Sequence, residues 1–447
     1  MGRPSKGDFR RRDDGVIKPL LYKAKWWLHH PTAFARFAEI MANLGKSPDQ
    51  LAAEQELARR RIVRHAMQHT AFYKRHYAAS GFEIGDIGAD GWFERLPLVT
   101  KRELRESFPD FIDRGQRQFL SVSTTGGSTG VPTKTGYDRR IPEEVYSWRL
   151  QSSYGVHPWD DHAYVWRDTR RSRWAKLKNA AAWWPTRHLK LDATLLSDVA
   201  MDEFIERFNR IRPCLLQGYV GAVSQLAEHV LKSGKAIDSP PKVVWTTSAP
   251  LSEVQRRLVE RAFGAPVCNE YGSCECRWIA FQMPGHDGLR VNTEHVHLEF
   301  LQEPGGDVQG YGRAVLTNLE DTVFPLIRYE NGDRGRWLDY PYIDSVKGRE
   351  VESFVLPSGK VINGEYLTTI FDASPDLVYG FRAVQHADLS ITIEYVPAGE
   401  ERLVQDVLRR FAEKLSGEAV VDFRRVDRIS HDRGKLRFVV REAVARQ

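Results

Sequence analysis

Leu120-Ser121-Val122-Ser123-Thr124-Thr125-Gly126-Gly127-Ser128-Thr129-Gly130-Val131-Pro132-Thr133-Lys134 is the stretch on which the reading of this chain turns. Three glycines and a run of hydroxyl residues follow a short strand-like segment. Backbone N–H groups and side-chain hydroxyls can therefore converge on a guest rich in oxygen acceptors, and a polyphosphate is the natural one. Taken alone, the stretch admits three readings. Glycine and serine also make plain connectors. Gly126-Gly127-Ser128-Thr129-Gly130 satisfies the G-x-S-x-G of a serine hydrolase with Ser128 as nucleophile, but that elbow needs a helix directly after the serine, which Val131-Pro132 opposes. The third reading is a phosphate loop outside the Walker type. The Walker spacing fails even at Gly45-Lys46-Ser47, where Ile40 stands in place of the first glycine.

A chain of 447 residues suggests two or three domains. Hydrophobic content of 42% and charged content of 28% describe a globular protein. No apolar run approaches the ~18 residues of a membrane span, and Met1-Gly2-Arg3-Pro4-Ser5-Lys6 leads into charge, so a cytoplasmic protein is expected. Four cysteines (Cys214, Cys268, Cys274, Cys276) do not make a disulfide framework and fit a reducing compartment. Cys274 and Cys276 with His286, His295 and His297 can be drawn as a zinc cluster. The C-x-C spacing is too tight for the usual finger, however, and the cysteines read better as small apolar residues. Much of the net charge of +6 gathers between Trp166 and Lys190, where five arginines and three lysines face Asp168 and are interleaved with Trp166, Trp174, Trp183 and Trp184. The segment reads as a solvated excursion or a basic rim for an anionic substrate. Binding to nucleic acid or an anionic membrane is the alternative, and without an accompanying recognition motif no nucleic-acid partner is expected.

Residues 1–15 are charged and predicted to be a disordered tail. Leu51, Leu57, Ile62, Ala66, Met67 and Tyr73 have helical spacing within Ser47 to Ala79, with Gly81 as the stop. Thr100 can cap a helix with Glu103 three residues on. Farther along, strands alternate with helices: Cys214 to Tyr219, Val220 to Lys232, Val243 to Thr247, Ser252 to Phe263 and Pro266 to Asn269. Such β-α-β repetition implies an α/β domain whose ligands sit at the carboxyl ends of parallel strands. After about residue 290 the pattern becomes β-rich, and from about Gly348 a smaller α+β unit begins. It holds a hairpin around Pro357-Ser358-Gly359, strands at Ala383 to Gln385, Leu389 to Tyr395, Val420 to Val426 and Leu436 to Val440, and a helix from Glu400 to Leu415.

Four further stretches carry chemistry. Asn269-Glu270-Tyr271-Gly272-Ser273-Cys274-Glu275 ends a predicted strand, where Glu275 suits a magnesium ion bridging phosphates. Phe324 to Asp333 sets Asp333 after a glycine turn, suited to both hydroxyls of a ribose. Gly348-Arg349-Glu350 lies where the pattern changes, and Arg433-Gly434-Lys435 places a lysine between strands. Singly these read as two turns, a surface ion pair and a solvated lysine.

In order and spacing, the set resembles the adenylate-forming superfamily of acyl-CoA synthetases, peptide-synthetase adenylation domains and luciferases, and within it the branch of phenylacetate-CoA ligase and CapK-like proteins. Thr125 to Thr133 looks like the family's S-S-G-T-T-G-x-P-T, Tyr271 to Glu275 like Y-G-x-T-E, Arg328 to Asp333 like R-Y-x-x-G-D, and Arg433-Gly434-Lys435 like the closing S-G-K. The resemblance implies an α/β fold with a large N-terminal adenylation domain over 16–347 and a small mobile C-terminal α+β lid over 348–447. It implies a carboxylate that attacks the α-phosphate of ATP, giving an acyl-adenylate and pyrophosphate, and then a thiol, that of CoA, that displaces AMP. Thr125, Gly126, Gly127, Ser128, Thr129 and Gly130 would cradle the phosphates, and Glu275 would hold Mg2+. Asp333 and Arg349 would take the ribose. Ser248, Ala249, Pro250, Glu270 and Tyr271 would lie around the adenine, and Lys435 would bridge the acid and the α-phosphate.

Tyr219, Trp245 and Gly272 are expected to line the acid pocket, and tryptophans nearby suit an aromatic or flat small-molecule acid. The oligomeric state stays open, a homodimer included. The chain departs from the family at Cys274 (usually Thr), at Gly126 (usually Ser) and at the hinge Val351 (usually Asp or Lys), so an amine, a hydroxyl or a carrier-protein thiol remains the alternative acceptor.

Overall fold

The computed structural model describes residues 6–124, 133–166, 173–193, 196–302, 310–344, 346, 353–357, 361–363, 374–414, 419–429 and 439–441. Helices α1 (Lys6–His29), α2 (Ala33–Ala42), α3 (Pro48–His69), α4 (Ala71–Ala79) and α5 (Lys101–Glu106) lead into an antiparallel hairpin, β1 (Leu120–Thr124) and β2 (Lys134–Asp138), followed by α6 (Glu144–Ser153). An alternating run follows: β3 (His162–Trp166), α7 (Arg173–Trp183), β4 (His188–Asp192), α8 (Asp198–Ile211), β5 (Leu215–Tyr219), α9 (Val220–Ser233), β6 (Val243–Thr247), α10 (Glu253–Phe263) and β7 (Val267–Tyr271). Next come β8 (Ala280–Gln282), β9 (Leu289–Val291), β10 (Val296–Leu301), β11 (Gly312–Asn318), β12 (Tyr329–Gly335) and β13 (Tyr342–Ile343). The last part holds β14 (Ser353–Val355), β15 (Val361–Asn363), β16 (Val378–Gln385), β17 (Ile391–Pro397), α11 (Glu401–Lys414), β18 (Val421–Arg425) and β19 (Val439–Arg441).

The chain divides into two compact units, of which the first comprises Met1–Tyr22, Tyr154–Asn269 and Lys347–Gln447. Its centre is a sheet in the order β4-β3-β5-β6-β7, with β4, β3, β5 and β6 parallel. Val165, Phe204, Phe208, Leu216, Val244 and Phe263 share one buried core. Each buried phenylalanine contributes about 1.5–3 kcal/mol. The helix stops lie where the sequence puts them: Gly234 and Gly264 cap α9 and α10 in the left-handed conformation at φ 69° and 62°. A second core joins Phe354, Phe381, Ile393, Val404 and Leu408 with Val254 of α10. It underlies the mixed sheet β18-β17-β16-β19, in which the outer strands run parallel to their neighbours.

The second unit comprises Lys23–Ser153 and Glu270–Val346. Here the last two residues of β7 pair antiparallel with β8, which continues through β9 to β13, and β10-β11-β12 form a separate antiparallel sheet. The helical pattern predicted as one segment over Ser47 to Ala79 is broken at Thr70. Its hydroxyl donates to the Ala66 carbonyl at 2.8 Å and accepts from Tyr73 N–H, so the same threonine closes α3 and caps α4. Ile62, Ala66 and Tyr73 are buried as the pattern predicts, but Leu57 is 67% exposed. The Thr100/Glu103 capping box opens α5 as expected.

One difference concerns the N-terminal stretch. Helix α1 starts at Lys6, so helical backbone occupies residues 6–15 where a disordered tail is predicted. Among the described residues, no helix is long and apolar enough to cross a membrane.

Candidate active site

β12 carries Tyr329, Asn331 and Asp333, and its ladder to β11 shifts register between Glu330 and Arg334, with Gly332 at φ 87°. All three engage the segment that follows β7. Tyr271 donates its hydroxyl to Asp333 Oδ2 at 3.0 Å. Asn331 Nδ2 donates to both that hydroxyl and Asp333 Oδ2, each at 2.7 Å, and Asn331 Oδ1 accepts the Asp333 N–H at 3.0 Å. Tyr329 donates its hydroxyl to Glu275 Oε1 at 3.0 Å, and Glu275 is buried. Burial pushes the Tyr271 hydroxyl well above its ordinary range, and the neighbouring Asp333 charge adds to this, so it stays a donor at neutral pH. The two segments thus exchange partners: Tyr271, four residues before Glu275, holds Asp333, and Tyr329, four residues before Asp333, holds Glu275. At Gly272 space is tight: a Cβ there would stand 2.9 Å from Glu270 Oε1 and 3.3 Å from Trp278 N, so the Glu270 carboxylate would have to shift.

The turn bearing Glu275 is anchored from several sides. Ser273 Oγ accepts Cys276 N–H, and Ser273 N–H donates to the Cys276 carbonyl, both at 3.0 Å. Tyr137 on β2 donates its hydroxyl to the Cys274 carbonyl. The Arg277 guanidinium lies 3.8 Å from the centre of the Tyr137 ring and pairs with Glu143 at 3.1 Å. Burial pushes the Tyr137 hydroxyl up to about 12 and raises the Glu143 carboxyl.

Beneath this turn, fully buried His295 has Nδ1 2.8 Å from Glu320 Oε2 and Nε2 3.0 Å from the Arg277 carbonyl. Burial alone would lower the imidazole, but its contacts with Cys276 and Glu320 outweigh that and raise it well above its ordinary value. Acceptors facing both ring nitrogens point the same way, because only the imidazolium can donate to both. Glu320 also accepts from Arg36 at 2.7 Å and from Tyr146 at 2.7 Å. Against the cost of its burial, His295 and Arg36 hold its carboxyl below the ordinary range.

In the first unit, Trp166, Tyr219 and Thr247 stand at the carboxyl ends of β3, β5 and β6, the edge at which parallel sheets take ligands. The Tyr219 and Trp166 rings lie 4.2 Å apart. Trp245 is fully buried within β6. Ser248, the first residue after β6, has φ 73°, and Ala249 and Pro250 follow it. A non-glycine residue in this region is strained, and such strain concentrates at functional turns.

Of the residues singled out from sequence, Tyr271, Gly272, Glu275 and Asp333 are gathered together with Glu270 in the second unit. Ser248, Ala249, Pro250 and Tyr219 lie at or beside the strand ends of the first, whereas Trp245 is buried in the middle of β6. Thr125, Gly126, Gly127, Ser128, Thr129, Gly130, Arg349 and Lys435 lie outside the described residues. The frame of the loop is nonetheless visible, since Thr124 pairs with Lys134 in an antiparallel ladder. This is a strand-to-strand connection, whereas a hydrolase elbow joins a strand to a helix. Sequence reasoning passed over Tyr329, Asn331 and Tyr137. Period-two spacing before Asp333 was the available signal for the first two. Cys276 and His295, drawn earlier as zinc ligands, lie 4.0 Å apart and belong to the Glu320 network.

Magnesium commonly uses one or two protein carboxylates and completes its shell with phosphate oxygens and water. Glu275 is a hard oxygen donor of that kind; among the described residues no group of three or more His, Cys, Asp or Glu could hold a metal ion.

No family model matches the chain. The CapK protein of Staphylococcus aureus is 25% identical over 248 residues, 54% of this chain and 53% of its own length, so the match spans about half of that relative. The phenylacetate-coenzyme A ligase of Escherichia coli (strain K12) is 21% identical over 329 residues, 69% of this chain and 74% of that one. Among solved structures, 2-hydroxyisobutyryl-CoA ligase in its postadenylation state with R3-HIB-AMP superposes with a TM-score of 0.69 at 19% identity, covering 87% of this chain and 89% of that one. The chain therefore has the fold of the adenylate-forming ligases and is related in sequence to their phenylacetate-coenzyme A ligase and CapK branch.

Proposed function

We propose that this protein is an ATP- and magnesium-dependent carboxylic acid ligase that forms an acyl-adenylate and passes the acyl group to the thiol of CoA. The observation that carries the reading is the pair of carboxylates set by β12 and the turn after β7: Asp333 held by Tyr271 and Asn331, and Glu275 held by Tyr329. A nucleotide triphosphate needs both, one acceptor for its ribose and one hard ligand for its metal.

In the first half-reaction an oxygen of the acid attacks the α-phosphorus and pyrophosphate leaves. In the second, the thiol sulfur attacks the acyl carbon, AMP leaves, and the thiol proton is released. Neither step demands a strong base, so the protein's work is alignment and charge neutralisation. Asp333 and Arg349 hold the ribose, while Ser248, Ala249, Pro250, Glu270 and Tyr271 frame the adenine. Thr125 to Gly130 receive the β- and γ-phosphates on backbone N–H groups and hydroxyls. Glu275 holds a magnesium ion, which when bound offsets the charge of the leaving pyrophosphate. Lys435 bridges the acid and the α-phosphate as an ammonium, and withdraws with residues 348–447 before the thiol step.

The test is acid-dependent exchange of labelled pyrophosphate into ATP over a panel of aryl, acyl and amino acids. The expected result is exchange with at least one acid and its abolition in Lys435→Ala; wild-type exchange in that variant would sink the role of Lys435. AMP release with no consumption of CoA thiol would move the acceptor to an amine, a hydroxyl or a carrier protein. Fluorophosphonate labelling lost in Ser128→Ala would favour a hydrolase instead.

A further inference from the structure

Residues 272–279 carry Glu275 from β7 to β8 outside any strand or helix. The carbonyl groups of this segment are gripped one by one. The Cys274 carbonyl takes the Tyr137 hydroxyl, the Cys276 carbonyl takes Ser273 N–H at 3.0 Å, and the Trp278 carbonyl takes Asn292 Nδ2. Between the last two, the Arg277 carbonyl faces His295 Nε2 at 3.0 Å. Trp278 adopts φ 54°, a conformation that a residue with a Cβ keeps only when its surroundings impose it. His295 and Asn292 grip the carbonyls on either side of its Cα, and so impose the path by which the chain leaves Glu275.

His295 is itself immobile. Its N–H donates to the Asn292 carbonyl at 2.9 Å, and its carbonyl accepts Leu319 N–H at 2.8 Å. The imidazole is fully buried, with Nδ1 2.8 Å from Glu320 Oε2. Glu320 is fixed in turn by Arg36 and Tyr146, both at 2.7 Å, and by its own N–H, which donates to Asn318 Oδ1 at 2.9 Å. All of these residues belong to the second unit. The line of contacts from Arg36 through Glu320 and His295 therefore ends on a carbonyl two residues from Glu275. Partners that orient a metal ligand without touching the ion commonly set about 10- to 100-fold of metal affinity.

We propose that His295 is a positioning residue for Glu275: set between Glu320 and the Arg277 carbonyl, it holds the turn that presents this carboxylate to the magnesium ion of the nucleotide. What Glu275 does there rests on the ligase reading; that His295 sets its place does not. His295→Gln leaves a side chain that donates to one acceptor and turns its own oxygen on the other. The Mg2+ concentration for half-maximal pyrophosphate exchange should rise about tenfold, while the KM for the acid stays within about twofold of wild type. Adding Glu320→Gln completes a neutral chain, in which the amide at 295 donates to the Arg277 carbonyl and accepts from the amide at 320. The double variant should return the magnesium titration to within about threefold of wild type, a recovery that a loss of stability alone would not give. Arg36→Gln, at the partly exposed rim of the cluster, keeps the test open if His295→Gln does not fold, and should shift the titration about threefold in the same direction. In the ligand-free protein, hydrogen exchange of the peptide 271–280 should quicken at least about tenfold in His295→Gln, a readout that needs neither metal nor turnover. Wild-type protein that exchanges pyrophosphate with no acid would sink the ligase reading and leave hydrogen exchange to decide the role of His295. An unshifted magnesium titration in folded His295→Gln, a double variant no better than the single, or unchanged hydrogen exchange would each overturn the proposal.

Discussion

Asp333→Asn is the sharpest test of the site, because the structure fixes what the substitution removes. Asp333 Oδ2 is oriented by two donors, the Tyr271 hydroxyl and Asn331 Nδ2, at 3.0 and 2.7 Å. An ionised carboxylate so oriented can accept from both hydroxyls of a ribose. The amide offers one acceptor oxygen, and its NH2 must face either a donor of the protein or a donor of the sugar. The substitution therefore exchanges two charge-assisted hydrogen bonds for at most one neutral bond, a loss of about 2–3 kcal/mol, or about 30- to 150-fold. It should show as a raised KM for ATP in pyrophosphate exchange at saturating acid. Tyr271→Phe keeps the ring and removes only one of the two orienting donors, for about 1 kcal/mol or about fivefold. A KM within about twofold of wild type for Asp333→Asn, or a larger defect in Tyr271→Phe than in Asp333→Asn, would refute the argument.

Other substitutions probe different parts of the molecule. Glu275→Gln should raise the Mg2+ concentration needed for half-maximal exchange at least about tenfold, since a neutral oxygen replaces the anionic ligand; an unshifted magnesium titration would remove the ion from this residue. Arg328→Ala should cost about 3–5 kcal/mol in urea unfolding followed by tryptophan fluorescence. Its guanidinium is buried against Glu299 at 2.9 Å and the carbonyls of Glu94 and Leu96 at 2.7 and 2.6 Å, so truncation strands a buried carboxylate. His162 makes a pH prediction, because burial holds its imidazole at about 4. With an unfolded value near about 6.5, the folded chain binds fewer protons, so this stability is present above about pH 6.5 and about 3 kcal/mol is lost as pH falls toward 4. His162→Leu should flatten the unfolding midpoint across that window.

What the sequence made legible was local. Val243 to Thr247 between turn residues, Gly234 and Gly264 as stops, and the Thr100 cap each carry their own signal, and each element stands where it was expected. Thr70 was missed because its break depends on a hydroxyl choosing main-chain partners on both sides, which periodicity does not register. The carboxylates Glu275 and Asp333 were legible as motif positions, but what holds them was not. Tyr329 and Asn331 sat inside the motif without an assigned task, and Tyr137 reaches the turn from far along the chain. The His295, Glu320, Arg36 and Tyr146 network is less legible still, because Arg36 and Tyr146 reach Glu320 from far along the chain and the cluster becomes apparent only when the buried charges have to be balanced.

The grip of Tyr137 on the Cys274 carbonyl bears on how this site can vary. A carbonyl oxygen belongs to the backbone and is the same whatever side chain position 274 bears. Here position 274 bears an exposed cysteine. The placement of Glu275 is therefore tied to Tyr137 through the main chain at position 274, and a loss of the Tyr137 hydroxyl would loosen the turn whatever the residue there.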